Sequence, residues 1–274
     1  AAEGHRVVLV IATDGEAGLA EDAPDAAALG SRRRIEAEAS AAALGCARVE
    51  LLGYPDSGSS GVPRPGGFAA VPVADAAARL AAILREERAD ALTIYDRHGG
   101  YGHPDHVQVH RVGLAAARLA GTPVVLEATA DRRLLHRGVR VYRGYQRVRD
   151  GLRRLRPAGR RAARPGGTPV SMLPEAYTEH ALLTHRVDVR RHLDAKRAAM
   201  RAHVTQAGGD ADRTLAILLR LPRPLYRLAL GREWFVEHGA APTRPLRDDI
   251  FASLAPAAAG AAGSAVGADR AEAG

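Results

Sequence analysis

The run at residues 6–12 sets the strongest constraint on the fold. Val7, Val8, Leu9, Val10 and Ile11 follow one another without a polar break. A strand that is apolar on both alternating faces has to be covered on both, as in a parallel sheet packed between helices. The pattern recurs: residues 49–52, 91–95 and 123–126 read as further short strands. Between them, residues 31–44, 73–88 and 104–120 read as helices. Ser31 is placed to cap the first and Gly45 to end it. Ala77, Leu80, Ala81 and Leu84 give the second its apolar stripe, and Pro104 suits the first position of the third. A strand, loop and helix repeated with short connections predicts an α/β fold, a Rossmann-like parallel sheet flanked by helices. No Gly-x-Gly-x-x-Gly follows the first strand and no Gly-x4-Gly-Lys-Ser/Thr loop occurs, which argues against dinucleotide and P-loop chemistry.

Charge divides the chain into unlike parts. The formal net charge is +8 over 274 residues. Residues 137–164 hold eleven arginines and one acid, Asp150, so this segment alone is +10 and the remainder is −2. The protein is therefore not basic throughout, which weakens a nucleic-acid reading of the whole domain. The expected layout is an α/β core at 1–136, an arginine-rich insertion at 137–180, the rest of the same domain at 181–254, and a disordered tail at 255–274 dominated by alanine and glycine. Within the insertion, residues 139–155 read as a basic helix and 156–169 as loop. The segment is either a solvated insertion or a patch for an anionic partner: phosphate, anionic lipid or nucleic acid. Beyond it, residues 187–189 suit a short strand or cap, 190–205 a helix, and 232–237 a last strand. Cys46 is the single cysteine, so no intrachain disulfide forms and a cytoplasmic setting is expected. No run of about 18 apolar residues provides a membrane span.

Chemistry concentrates in Tyr95-Asp96-Arg97-His98-Gly99-Gly100-Tyr101-Gly102-His103-Pro104-Asp105-His106, between a strand and a helix. His103 falls at the N-cap and His106 on the first turn, so both can face one pocket. Neutral imidazole is a good zinc ligand, and Asp105 could fix the tautomer of an imidazole beside it. The glycines admit close backbone approach. Tyr101 offers a phenol to a developing oxyanion. His110, four residues past His106, is either a second ligand or a packing residue, the latter being favoured. Two other loops end strands at the same sheet edge, Thr13-Asp14-Gly15-Glu16 and Asp56 after residues 49–52; for the first, an ordinary glycine turn is the favoured reading. Arg33 and Glu36 are three apart and share a helix face, the usual arrangement of a solvated surface pair.

The stretch Gly99-Gly100-Tyr101-Gly102-His103-Pro104-Asp105-His106 resembles the second signature of the zinc-dependent N-acetylglucosaminyl deacetylases, the LmbE-like (PIG-L) superfamily. The context of Tyr101 is most similar to the actinobacterial branch acting in mycothiol synthesis and detoxification. Similar residues also occur at Thr13-Asp14-Gly15-Glu16, Arg33-x-x-Glu36, Leu44-Gly45, Tyr54-Pro55-Asp56-Ser57-Gly58, Lys196 and His203-x-x-Gln206. The resemblance covers residues 4–130 well and 187–237 more loosely. It implies that His106 ligates Zn2+, that His103 stabilises the tetrahedral intermediate or protonates the leaving amine, and that Asp105 is its carboxylate partner. It implies that Tyr101 polarises the amide carbonyl and that Arg33 and Asp56 hold hydroxyls of an amino-sugar or glycoconjugate substrate.

The family's first signature, Ala-His-Pro-Asp-Asp-Glu, ends its first strand and supplies a histidine and an aspartate to zinc, plus the aspartate base. It is not among these 274 residues, and Gly4-His5-Arg6 resembles the lead into the family's second strand. The expectation is therefore a sheet lacking its first strand, an upstream segment, and a zinc site with His106 as its one matched ligand. Two readings follow. One is a zinc-dependent hydrolase removing acetyl from, or cleaving a related amide of, an N-acetylglucosamine-type substrate, impaired in the chain as it stands. The other is a sugar-binding family member without catalysis.

Overall fold

The computed structural model describes residues 1–16, 26–58, 63–154, 176–205 and 213–254. The expected tail and the loop at 156–169 lie outside these residues. Strand β1 (Val8–Thr13) is followed by α1 (Ala26–Leu44), β2 (Arg48–Tyr54), α2 (Val73–Glu86), β3 (Ala91–Tyr95), α3 (Pro104–Ala120), β4 (Val124–Thr129) and α4 (Arg132–Arg154). Then come β5 (His185–Asp188), α5 (Leu193–Ala202), α6 (Arg213–Arg220), α7 (Arg223–Leu230) and β6 (Arg232–Glu237).

The strands form a mixed α/β arrangement in two sheets. β1 pairs with β2 in parallel, Val8 opposite Arg48. The second sheet runs β3-β4-β6-β5. β3 and β4 are parallel, Ala91 opposite Val124, while β6 is antiparallel to both β4 and β5. The parallel strands are thus those joined by α1 and α3, and the antiparallel pair forms one border, a common extension of doubly wound sheets. Among the described residues β1 and β3 each keep one edge without a strand partner.

Both sheets rest on one helix layer. Phe68, Ala76, Ala77, Leu80, Ala81, Leu84, Val112 and Ala116 form a buried cluster from α2, α3 and the turn before α2. Val10 and Ala12 of β1, Tyr54 of β2 and Leu92 of β3 pack onto this cluster. Small side chains bring the layers close. A Cβ at Gly113 in α3 would stand 2.5 Å from Ile94 Cγ2 in β3, inside van der Waals contact, so the helix sits against the strand only because that position carries no side chain. Helix α5 packs on α1, and Lys196 in α5 pairs with Glu233 in β6 at 2.6 Å.

Several local expectations change. Ser31 lies inside α1, which already runs from Ala26; the alanines before it carry the helix N-terminally, and Ser31 caps nothing. Gly45 takes a left-handed φ of 72° after α1, as expected. The helix expected over residues 190–205 divides into a 3-10 turn at Arg190–His192 and α5. Arg33 and Glu36 are not a solvated pair. Arg33 donates from α1 to the Gly15 carbonyl. Glu36 is buried and accepts from the Thr205 amide at 2.8 Å and its hydroxyl at 2.7 Å. The basic helix is present as α4, beginning at Arg132 rather than 139.

Candidate active site

Strand β3 delivers Asp96, which is fully buried. One of its carboxylate oxygens accepts from the amides of His98 at 3.1 Å and Gly100 at 2.8 Å. The other accepts from the hydroxyl of Thr129, at the end of β4, at 2.5 Å and of Thr178 at 3.4 Å. A carboxylate satisfied by four donors from three segments is a firm anchor in a low-dielectric interior. It bends the chain back on itself, and Gly99, Gly100 and Gly102 take φ values of 64°, 66° and 96° to follow it. At Gly99 a Cβ would meet the Val107 amide nitrogen at 2.8 Å, so the loop closes tightly onto the start of α3. On its other side the Tyr177 amide donates to the Gly100 carbonyl at 3.0 Å.

His103 is the N-cap of α3. Its Nδ1 accepts from the Asp105 amide at 3.2 Å, with Pro104 at the first helical position as expected. Accepting at Nδ1 requires a lone pair there, so the neutral ring carries its proton on Nε2. His106 is arranged the other way. Its Nδ1 lies 3.2 Å from the Gly99 carbonyl. A carbonyl can only accept, so Nδ1 bears the proton and Nε2 keeps a free lone pair. The two rings are 4.9 Å apart. Tyr95 stacks on His106 at 3.9 Å and Tyr101 meets it edge-on at 5.3 Å. Burial, helped by neighbouring His103, lowers the pKa of His106 to about 4, so it is neutral at neutral pH.

Asp105 is buried and faces the β2 end of the site. Its Oδ2 accepts from the Ser57 amide at 3.1 Å, while Oδ1 is buried without a hydrogen-bond partner. Among the contacts of Asp105, His103 is bonded through the Asp105 amide; the carboxylate does not fix the His103 tautomer, because the helix N-terminus already does so. Asp56 stands across from them. It accepts from Gly58 at 2.7 Å, and its own amide donates to Glu16 at 2.8 Å. Glu16 therefore ties the loop after β1 to the loop after β2, and the neighbouring Gly15 holds Arg33. Arg33 and Asp56 thus hang on the same short loop at 13–16, which is more than a glycine turn. His110 Nδ1 lies 3.1 Å from the Tyr95 carbonyl and 3.9 Å from the Glu127 carboxylate.

Two groupings could hold a metal. Ligand atoms of Asp56, His103 and Asp105 all lie within 4.8 Å of one another. Yet His103 could turn a lone pair at Nε2 toward a cation only by giving up its cap bond to Asp105. His106 needs no such change: it is neutral, oriented by a backbone carbonyl, and has Nε2 free, the usual state of a zinc-bound imidazole. His106 fits zinc as one ligand, and Asp105 Oδ1 is a buried carboxylate oxygen without a hydrogen-bond partner.

Sequence reading missed Asp96, Thr129, Thr178 and Tyr177 as parts of this site. Asp96 lay within the stretch but carried no spacing signal. Residues 177 and 178 reach the loop from beyond the arginine-rich segment, a contact that no local pattern encodes. His203, near the end of α5, is also brought into the electrostatic reach of Glu36 and Arg33, and burial lowers its pKa.

At this edge of the α/β sheet a glycine loop gathers histidines and carboxylates, among them a group that could hold a metal ion, and similarity to known proteins gives the family. The model of the family "PIG-L: GlcNAc-PI de-N-acetylase" matches residues 1–117. A 1D-myo-inositol 2-acetamido-2-deoxy-alpha-D-glucopyranoside deacetylase of Nocardioides sp. is 37% identical over 284 residues, covering 93% of this chain and 91% of that protein. The protein of the same name from Streptomyces scabiei is 39% identical over 259 residues, covering 85% and 78%. The chain belongs to the PIG-L family. Among solved structures, N,N'-diacetylchitobiose deacetylase from Pyrococcus horikoshii shares the fold at a TM-score of 0.52 and 19% identity, over 86% of this chain and 74% of that one.

Proposed function

We propose that the chain is a deacetylase of the N-acetylglucosamine class, acting on an amino sugar joined to inositol or a comparable polyol. Support comes from relatives named for this deacetylase activity, matched over 91% and 78% of their lengths. The observation that carries the mechanism is the opposite tautomers of His103 and His106. His106 presents a lone pair and is suited to hold zinc. His103 presents an Nε2–H and is suited to donate to the tetrahedral oxyanion or to the departing amine. Tyr101 offers a second donor to the carbonyl oxygen. Asp105 keeps one carboxylate oxygen buried without a hydrogen-bond partner, within 4.8 Å of a ring nitrogen of His103. Arg33 and Asp56, both set by the 13–16 loop, hold substrate hydroxyls. Zinc, when bound, would acidify a water and polarise the acetyl carbonyl.

We infer further that the remaining ligands and the general base come from a strand seated between β1 and β3, each of which has an edge without a strand partner among the described residues and packs on the shared α2–α3 layer. Without it, His106 is one ligand where a catalytic zinc has three. The chain of 274 residues is then expected to bind zinc weakly and to release acetate slowly. The second reading, a sugar-binding protein without catalysis, is favoured by this same shortage of ligands. Zinc titration and acetate release from N-acetylglucosaminyl-inositol decide between them. They are measured on the chain as it stands and on one extended before Ala1 by a strand ending in His-Pro-Asp-Asp-Glu. Activity that appears with the extension supports the deacetylase; sugar binding with no hydrolysis in either form supports the alternative. Tight stoichiometric zinc and full turnover in the unextended chain would overturn the inferred strand. For residues 137–164 we infer an anionic partner.

A further inference from the structure

Helix α4 is built unlike the rest of the molecule. Its 23 residues (Arg132–Arg154) span about 34 Å at the helical rise, and it takes no part in the main helix and sheet packings of the body. It is tied down at its start. The Asp131 carboxylate accepts from the Arg133 amide at 2.9 Å, and Arg132 donates to the carbonyls of Ala176 at 3.2 Å and Tyr177 at 2.5 Å. Leu135 and Val139 are half-buried on its inner side. The outer side is divided in two. Leu134, Val141 and Val148 recur every seven residues and so form one stripe; they are 43%, 73% and 62% exposed. Beside that stripe on the helical wheel lie the exposed Arg133, Arg137, Arg140 and Arg147.

We propose that α4 is an interfacial helix that lays this divided face on an anionic lipid surface, deepening the anionic-partner reading of the segment. The two halves of the face choose the occupant. Arginines alone would suit any polyanion, including nucleic acid. A row of exposed aliphatic side chains gains nothing from a phosphate backbone but gains from the acyl boundary beneath lipid headgroups, where basic amphipathic helices lie flat. Arginine guanidinium groups bordering such a stripe reach the headgroup phosphates. No helix among the described residues is long and apolar enough to cross a membrane, so the association is peripheral. Arg132, at the start of the helix, binds the 176–179 segment, whose Tyr177 amide donates to the Gly100 carbonyl.

The test is co-sedimentation of the full chain with vesicles of phosphatidylcholine alone and with one-quarter phosphatidylserine, at low and at moderate salt. The full chain should bind the phosphatidylserine vesicles about tenfold or more above the neutral ones, and salt should reduce the difference. R133Q/R137Q/R140Q/R147Q should abolish that preference, and V141S/V148S should weaken binding severalfold, both with unchanged circular dichroism. Equal binding to both vesicle types overturns the proposal. So does binding to anionic vesicles that V141S/V148S leaves intact and that duplex DNA of equal phosphate concentration competes away, since that is polyelectrolyte attraction only.

Discussion

His103 and His106 stand one helical turn apart with their ring protons on opposite nitrogens. The Asp105 amide fills the Nδ1 lone pair of His103, and the Gly99 carbonyl takes the Nδ1 proton of His106. One imidazole is left with an Nε2–H and the other with a bare lone pair on Nε2. Nitrogen NMR of 15N-histidine-labelled protein at neutral pH should give an Nε2–H tautomer for His103 and Nδ1–H for His106. The same tautomer in both rings would remove the basis for their different roles.

The acid sensitivity of the site follows from His106. Its folded pKa, about 4, lies below the usual 6.5 because burial disfavours the charged ring. Above 6.5 the ring is neutral whether folded or unfolded, and its burial is not penalised. As pH falls from 6.5 to about 4 the unfolded chain takes up the proton and the folded chain does not, so stability is lost across that window, by about 3 kcal/mol at most. Urea titrations at pH 7 and pH 4.5 should show this loss, and the H106Q variant should lack most of it.

Asp96 holds the loop that carries both effects. D96A leaves two amides and two hydroxyls without their acceptor and should cost about 3–5 kcal/mol. D96N keeps an acceptor for the amides of His98 and Gly100 and offers an NH2 to the two threonine hydroxyls, which can accept. It should recover much of the stability. A chemical-shift change at His106 in D96A, with His110 unmoved, would separate loop displacement from general loosening.

Gly113 tests the close packing beneath the site. G113A places a methyl against Ile94 and should destabilise by about 1–3 kcal/mol despite the better helix propensity of alanine. In the double variant G113A/I94A the cost of G113A should largely vanish. Additive losses would mean that the two residues do not oppose each other.

Arg33 is held by the Gly15 carbonyl of the 13–16 loop, and its role can be read in kinetics. In acetate-release assays, R33A should raise KM about tenfold or more with a smaller change in kcat, as expected for a group that binds substrate hydroxyls in ground and transition states alike. A loss confined to kcat would place Arg33 in the chemistry instead.

Much of the frame was legible because it depends on local pattern. The unbroken apolar run before Thr13 and the strand before Asp96 predicted parallel strands, and His103-Pro104 predicted the start of α3. The family was legible from the glycine-histidine stretch. What escaped depends on partners distant in sequence. Glu36 looked like a surface acid until Thr205 reached it from the end of α5. Thr129 and Thr178 gave no signal, since a threonine that binds a buried carboxylate looks like any other strand or loop threonine. Asp105 looked like the partner that orients His103, yet the amide of the same residue does that, because a helix N-terminus leaves its first N–H groups seeking acceptors. The antiparallel β5–β6 border followed from long-range pairing that periodicity does not report.

Both bonds that orient the imidazoles come from the main chain, and this changes which substitutions the site can absorb. The protonation pattern is inherited through Gly99 and Pro104, which shape the backbone, more than through the side chains around the rings. A neighbour such as Tyr95, which only stacks on His106, can be exchanged while both tautomers remain assigned. Within this architecture, specificity can drift while the division of labour between the two histidines stays fixed.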